Sequence, residues 1–307
     1  MNAPPRLKPG DRIGVVAPSG PVLRKYVVAG LRVLEQAGYR PRLARHLYDR
    51  NGHLAGTDAA RADDLNRMLR DPDIRCVLMA RGGYGAMRIA PEVDWGAMRR
   101  DPKIFAGYSD ATFLHLGFSA RSGVRTLHGP NLHGLGFGRR GEIVRWLSWL
   151  SNPIPALGIR ELAAPLGFSR RRGAVSGPVL GGNLVLVHYG AGTDFLPSFR
   201  GKIVFFEEVN EAPYRIDAML THLGLAGAFQ GVRGFALGTF IQCVPKPKHR
   251  ELRLGEVLRD RLGRFGVPVM GGIQAGHGRR NLPMPLGARA TLDPGRGRLI
   301  FEEGLVS

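Results

Sequence analysis

Ser109 lies in the run IFAGYSDATFLHLGF (104–118), between an apolar, strand-like stretch and an amphipathic one. Small residues stand two positions to either side, Gly107 and Ala111. A sharp strand-to-helix turn requires this, because it crowds the neighbouring backbone. A serine on such an elbow is presented as a nucleophile, and the N–H of the next residue, Asp110, points at a developing oxyanion from the helix start. The same residues also suit a plain helix start, with Ser109 or Asp110 as N-cap. A second unusual turn, Arg81-Gly82-Gly83-Tyr84-Gly85, follows the apolar run 74–80. Paired glycines let backbone N–H groups face a ligand, as in an oxyanion hole or a phosphate nest, or they simply turn the chain.

A nucleophilic serine needs a base, and the base an acid that orients it. Nine histidines compete. His115 lies six residues beyond Ser109, about 600° around a helix, and so faces away from the helix start. His222 falls within a helical pattern, and His46, His53 and His249 fall in polar, loop-like sequence. His128 in TLHGPNL and His277 in QAGHGRRN are in Gly-rich loops that could present a side chain to a cleft. For the acid, KIVFFEEVNEAPYRID places Glu207 and Glu208 directly after an apolar run. Strand alternation puts Glu207 on the face of Ile203 and Phe205, and Glu208 on that of Val204 and Phe206. Either face could meet the cleft.

Other chemistries lack their residues. The glycines of 14–20 do not spell GxGxxG, and the second strand, YRPRLA, is basic where a dinucleotide fold places an acid for the ribose. There is no GxxxxGK[ST], no HExxH and no clustered Cys/His spacing, so no cofactor and no metal are expected. Cys76 and Cys243, far apart and beside apolar sequence, read as reduced core thiols.

The elements that must carry these residues alternate in the first half. Strands are predicted at 12–19, 39–44, 74–80 and 103–109, and helices at 24–37, 58–71 and 111–122, a βαβα rhythm that implies a mainly parallel sheet covered by helices. Strands dominate later, at 202–209, 233–243, 267–272, 288–293 and 298–304, with one helix at 214–227. The fold class is therefore α/β, with an α/β domain over 1–150, a Pro/Gly-rich linker over 151–173, and a β-rich domain over 174–307. In such open sheets ligands gather beyond the carboxyl ends of the parallel strands. No apolar run reaches membrane-spanning length, and prolines stand where a signal peptide has its apolar core. A cytoplasmic location without membrane association is expected. The net charge is +19, from 44 basic residues of which only six are lysine. The arginines are scattered and accompany no nucleic-acid-binding motif, so the charge reads as a solubility feature. A non-catalytic binder of nucleic acid or another anionic polymer is the different-class alternative, and it would show steep salt dependence.

Six segments together resemble the LD-carboxypeptidases, a family of serine peptidases that includes the muramoyltetrapeptide carboxypeptidases and the microcin C immunity peptidases. They are GDRIGVVAPSG (10–20), ARGGYGAMR (80–88), GYSDAT (107–112), GPVLGGNL (177–184), FFEEVNEAPYRIDAML (205–220) and GHGRRNLPMPLGARATLD (276–293), in family order along nearly the whole chain. The resemblance implies a Rossmann-like domain followed by a barrel-like one. It implies Ser109 as nucleophile, Glu207 as acid, His277 as base, and the amides of Gly83 and Asp110 as the oxyanion hole. The implied reaction is hydrolysis of an L-to-D peptide bond in a murein tetrapeptide, releasing D-alanine during cell-wall recycling. The sister activity within the family is detoxification of a peptide–nucleotide antibiotic. Arg81, Arg279 and Arg280, closest to these motifs, are candidates for the substrate's carboxylates. The Arg279-Arg280 pair is more basic than the family pattern, which bears on specificity. The family also implies a homodimer.

Overall fold

The computed structural model describes residues 1–153, 173–245 and 252–307. In the first half, β1 (Arg12–Val16), β2 (Arg40–Leu43), β3 (Ile74–Met79), β4 (Ile104–Gly107) and β5 (Thr126–His128) form a parallel sheet in the order β2-β1-β3-β4-β5. The near-continuous apolar runs of β3 and β4 follow from cover on both faces. Ile13, Val15, Cys76 and Leu78 enter one core, and Val16, Val77 and Met79 enter another with the helix Asp58–Arg70. From β1 the chain adds β2 on one side and β3 on the other, so the turns after β1 and β3 flank a topological switch point, where open α/β sheets bind ligands.

In the second half, β6 (Val175–Asn183), β7 (Ile203–Val209), β8 (Gly234–Ile241) and β9 (Val269–Met270) are parallel neighbours. After β10 (Met284–Leu286), the strands β11 (Arg289–Asp293) and β12 (Arg298–Phe301) continue the sheet antiparallel from β6. This curled, barrel-like sheet completes the fold class expected from the sequence. The helix content there exceeds expectation. Helices Leu184–Gly190 and Leu254–Gly263 join Pro213–Leu225, one in each parallel crossover. LVLVHYG escaped notice because a short apolar run has no polar face to reveal its period, and in place it buries Leu184, Leu186 and Val187. The predicted strand at 267–272 shrinks to two residues.

The halves interlock. β10, though late in the chain, pairs antiparallel with β5 in the first sheet, with Met284 opposite His128. The loop that carries His277 therefore leaves the second sheet at β9 and enters the first at β10. The linker expected over 151–173 lies almost wholly outside the described residues; Ser151 still closes the helix Arg140–Ser151. No helix among the described residues is long and apolar enough to cross a membrane.

Candidate active site

Three turns meet at the carboxyl end of the first sheet. Ser109 follows β4 with φ 64°, in the left-handed region that non-glycine residues rarely occupy. Such strain costs about 1–3 kcal/mol and persists only where the surroundings enforce it. Here the enforcement is steric. A Cβ on Gly107 would lie 3.1 Å from the Cβ atoms of both Ala111 and Met79. A Cβ on Gly82 would lie 3.0 Å from Ser109 Cβ and 3.2 Å from its Oγ. Neither Ser109 nor Asp110 caps the following helix, Ala111–Gly117, through its side chain. The Asp110 carboxylate instead ties the turns together, with Oδ2 accepting from Ser19 Oγ and, at 2.8 Å, from the Ala86 amide. Burial raises its pKa. Buried Arg61 adds a second tie, donating to the carbonyls of Pro18 and Gly85. Ser19 lies in a quoted motif, whereas nothing in its local sequence marks Arg61. The amides of Gly83 and Asp110 have no hydrogen-bond partner among the described residues.

The second sheet contributes a carboxylate and an imidazole. Glu207 on β7 is fully buried, and its Oε2 accepts from His277 Nδ1 at 2.7 Å and from the His277 amide at 3.2 Å. A buried, unpaired carboxylate would cost several kcal/mol, so this geometry is what makes an ionised Glu207 tolerable. Burial alone would raise its pKa, but the neighbouring imidazoles of His128 and His277 outweigh burial and bring it down to about 2. Burial likewise opposes charge on His277, and the bond and charge of Glu207 overcome it, holding the imidazole above its ordinary pKa. With Nδ1–H committed to Glu207, the Nε2 lone pair is free. The contact needs glycine at position 276. There φ is 109°, and a Cβ would fall 2.4 Å from Glu207 Oε2. Asn281 Oδ1 and Thr239 Oγ1 pin the loop through the amides of Gly276 and Gly278.

Glu208 points the other way. It accepts from Asn183 Nδ2 and from the amides of Val185 and Val209, and burial pushes its pKa up to about 7 against those donors. His128, read from the sequence as a loop histidine, ends β5 and is fully buried. His115 packs as expected, with Nε2 on the Gly107 carbonyl, and burial lowers its pKa to about 3.

Ser109 and His277 line one cleft of about 570 Å³, together with Arg81, Gly82, Gly83 and the aromatic rings of Tyr26, Tyr108 and Phe137. Of the three candidate arginines only Arg81 lines this cleft. Arg279 lines an adjoining cavity of about 150 Å³, and Arg280 another of about 340 Å³ beside Arg139, Glu142 and Arg145. The aromatic lining went unnoticed in the sequence, where Tyr26 sits in a predicted helix and Phe137 in a Gly-rich stretch assigned to no element. One group of ligand-type atoms, on His46, Asp63 and Asp64, gathers within 4.8 Å. Its members are engaged with Asp49, Arg67 and the His46 amide respectively.

A strained serine elbow sharing a cleft with a carboxylate-bonded imidazole defines the hydrolase class that works through a serine nucleophile. Comparison with known families makes the assignment definite: residues 13–129 match the LD-carboxypeptidase N-terminal domain, and residues 176–292 match the LD-carboxypeptidase C-terminal domain. The chain belongs to the LD-carboxypeptidase family and is a serine-type peptidase. It is 34% identical to the probable murein peptide carboxypeptidase of Bacillus subtilis, over 98% of this chain and 95% of that one. It is 30% identical to the murein tetrapeptide carboxypeptidase of Pseudomonas aeruginosa, over 94% of each. Its fold matches that of MccF in complex with glutamyl sulfamoyl guanosine at a TM-score of 0.86, with 24% identity over 99% of each chain.

Proposed function

We propose that this protein is an LD-carboxypeptidase that removes the terminal D-alanine from murein tetrapeptides in the cytoplasm. The observation that carries this reading is the bond between Glu207 Oε2 and His277 Nδ1 beside a cleft that also holds Ser109. Ser109 Oγ attacks the carbonyl carbon of the penultimate residue while His277 Nε2 takes the hydroxyl proton. The carbonyl oxygen becomes an oxyanion that accepts from the Gly83 and Asp110 amides, donors with no competing partner among the described residues. Collapse expels D-alanine, whose nitrogen takes the proton from His277. Water, deprotonated by the same imidazole, then hydrolyses the acyl-enzyme and regenerates Ser109. Glu207 holds the tautomer and stabilises the imidazolium. Arg81, which lines the cleft, binds a substrate carboxylate, and the protein acts as a homodimer.

The test is turnover of purified tetrapeptide beside a pentapeptide, an all-L analogue and an aminoacyl-sulfamoyl nucleoside. Release of D-alanine from the tetrapeptide, at least about tenfold faster than turnover of the others, is expected. Preference for the nucleoside conjugate would favour the immunity-type activity, and no hydrolysis of any arm would refute the reading.

A pH dependence follows from the site. His277 must be unprotonated to act as base, and Glu207 raises its pKa. Activity should therefore fall on the acid side with a midpoint above about 6.5, the ordinary imidazole value. A kcat/KM profile checks this, and a midpoint below that value would count against His277 as the base.

A further inference from the structure

His128 takes no step in the reaction above, yet its surroundings are chemically unfinished. It is fully buried, and neither ring nitrogen has a hydrogen-bond partner among the described residues. Glu207 Oε1 is equally buried and equally unpartnered. The two lie 3.8 Å apart, His128 Nε2 facing Glu207 Oε1. Leaving either group unsatisfied is costly in a dry interior. An ionised carboxylate oxygen can only accept, whereas an imidazole nitrogen can donate. A shift of roughly 0.8 Å brings them to hydrogen-bond distance.

The neighbours leave Oε1 no other donor among the described residues. His115, whose ring centre is 6.1 Å from that of His128, has its Nε2 on the Gly107 carbonyl. Phe205 meets the His128 ring edge-on at 5.2 Å, and Tyr108 at 6.2 Å. His277 occupies the other oxygen; Glu208 is bonded to Asn183 and to backbone amides, Cys243 Sγ donates to the Ile241 carbonyl, and burial and the Glu207 charge raise the pKa of the Tyr108 phenol and keep it neutral.

We propose that His128 is a positioning residue for the reaction, donating its Nε2–H to Glu207 Oε1 so that one carboxylate is held between two imidazoles, one from each half of the fold. The inference rests on the reading of Glu207 and His277 as acid and base. With Oε1 fixed, the carboxylate cannot rotate, and Oε2 stays aimed at His277 Nδ1. The bond also couples the two sheets at the site, because His128 belongs to β5 and Glu207 to β7.

His128→Leu removes the donor, and His128→Gln offers an amide N–H in its place. The leucine variant should lose roughly 10- to 100-fold in kcat, the size of one hydrogen bond to a charged group, with KM nearly unchanged. Its acid limb should move to higher pH. Without the donor, more of the Glu207 charge falls on His277, whose imidazolium then persists to higher pH. The glutamine variant should recover most of both effects. Independently of activity, nitrogen-15 NMR of labelled histidine should show a slowly exchanging His128 Nε2–H that shifts in Glu207→Gln. A folded leucine variant with wild-type kcat and acid limb would overturn the inference. So would equal loss in both variants with an unmoved limb, which is the mark of packing alone. An intact Nε2–H signal in a protein that hydrolyses no peptide would instead sink the peptidase reading and leave the hydrogen bond standing.

Discussion

Ser109→Ala is expected to lower kcat for tetrapeptide hydrolysis by about four to six orders of magnitude, the loss seen when a serine nucleophile acting with its base is removed. The fold should survive. Alanine carries the same Cβ through the left-handed turn at φ 64°, so the backbone strain is unchanged. Ser109 Oγ makes no hydrogen bond within the described residues, so none is lost. A thermal midpoint close to wild type, measured beside single-turnover kinetics, checks both halves of the expectation. Undiminished D-alanine release would remove Ser109 from the mechanism.

Glu207→Gln and Glu208→Gln should separate activity from stability. In Glu207→Gln the amide cannot hold both Nδ1–H of His277 and the charge it acquires, and a loss of about 10³–10⁴-fold in kcat is expected from the wrong tautomer. In Glu208→Gln one of the two oxygens that accept from Asn183 Nδ2 and the Val185 and Val209 amides becomes an NH2 donor, which leaves at least one of these buried donors without its acceptor. That should destabilise the fold by about 1–3 kcal/mol while kcat stays within about tenfold. The pH dependences of stability should also differ in sign. Glu207, depressed to about 2, contributes stability above its unfolded pKa that is lost as pH falls toward 2. Glu208, raised to about 7, makes the fold less stable as pH rises from its unfolded value to 7. Denaturant unfolding across pH for each variant reads these slopes. A larger kcat loss in Glu208→Gln than in Glu207→Gln would mean that the wrong strand face had been assigned to the cleft.

The legible parts of this protein were those set by local stereochemistry. The βαβα rhythm and the alternation of Glu207 against Glu208 each follow from a few adjacent residues. Helix Leu184–Gly190 was not legible, because its cover comes from elements distant in sequence. The role of Arg61 was hidden for the same reason: its partners Pro18 and Gly85 are 43 and 24 residues away.

By itself the sequence determined that Ser109 sits on a turn built for small neighbours, and that a carboxylate of the pair 207–208 ends a buried strand. Only the tertiary structure decided the rest. It turned Glu207 toward His277 and Glu208 toward Asn183, and it moved His128 from a supposed loop into the core beside Glu207. The reason is that Glu207 meets His128 of the other sheet and His277 of the loop that crosses to β10, while Glu208 meets Asn183 on the neighbouring strand β6. Alternation along one strand fixes opposite faces without saying what either face meets.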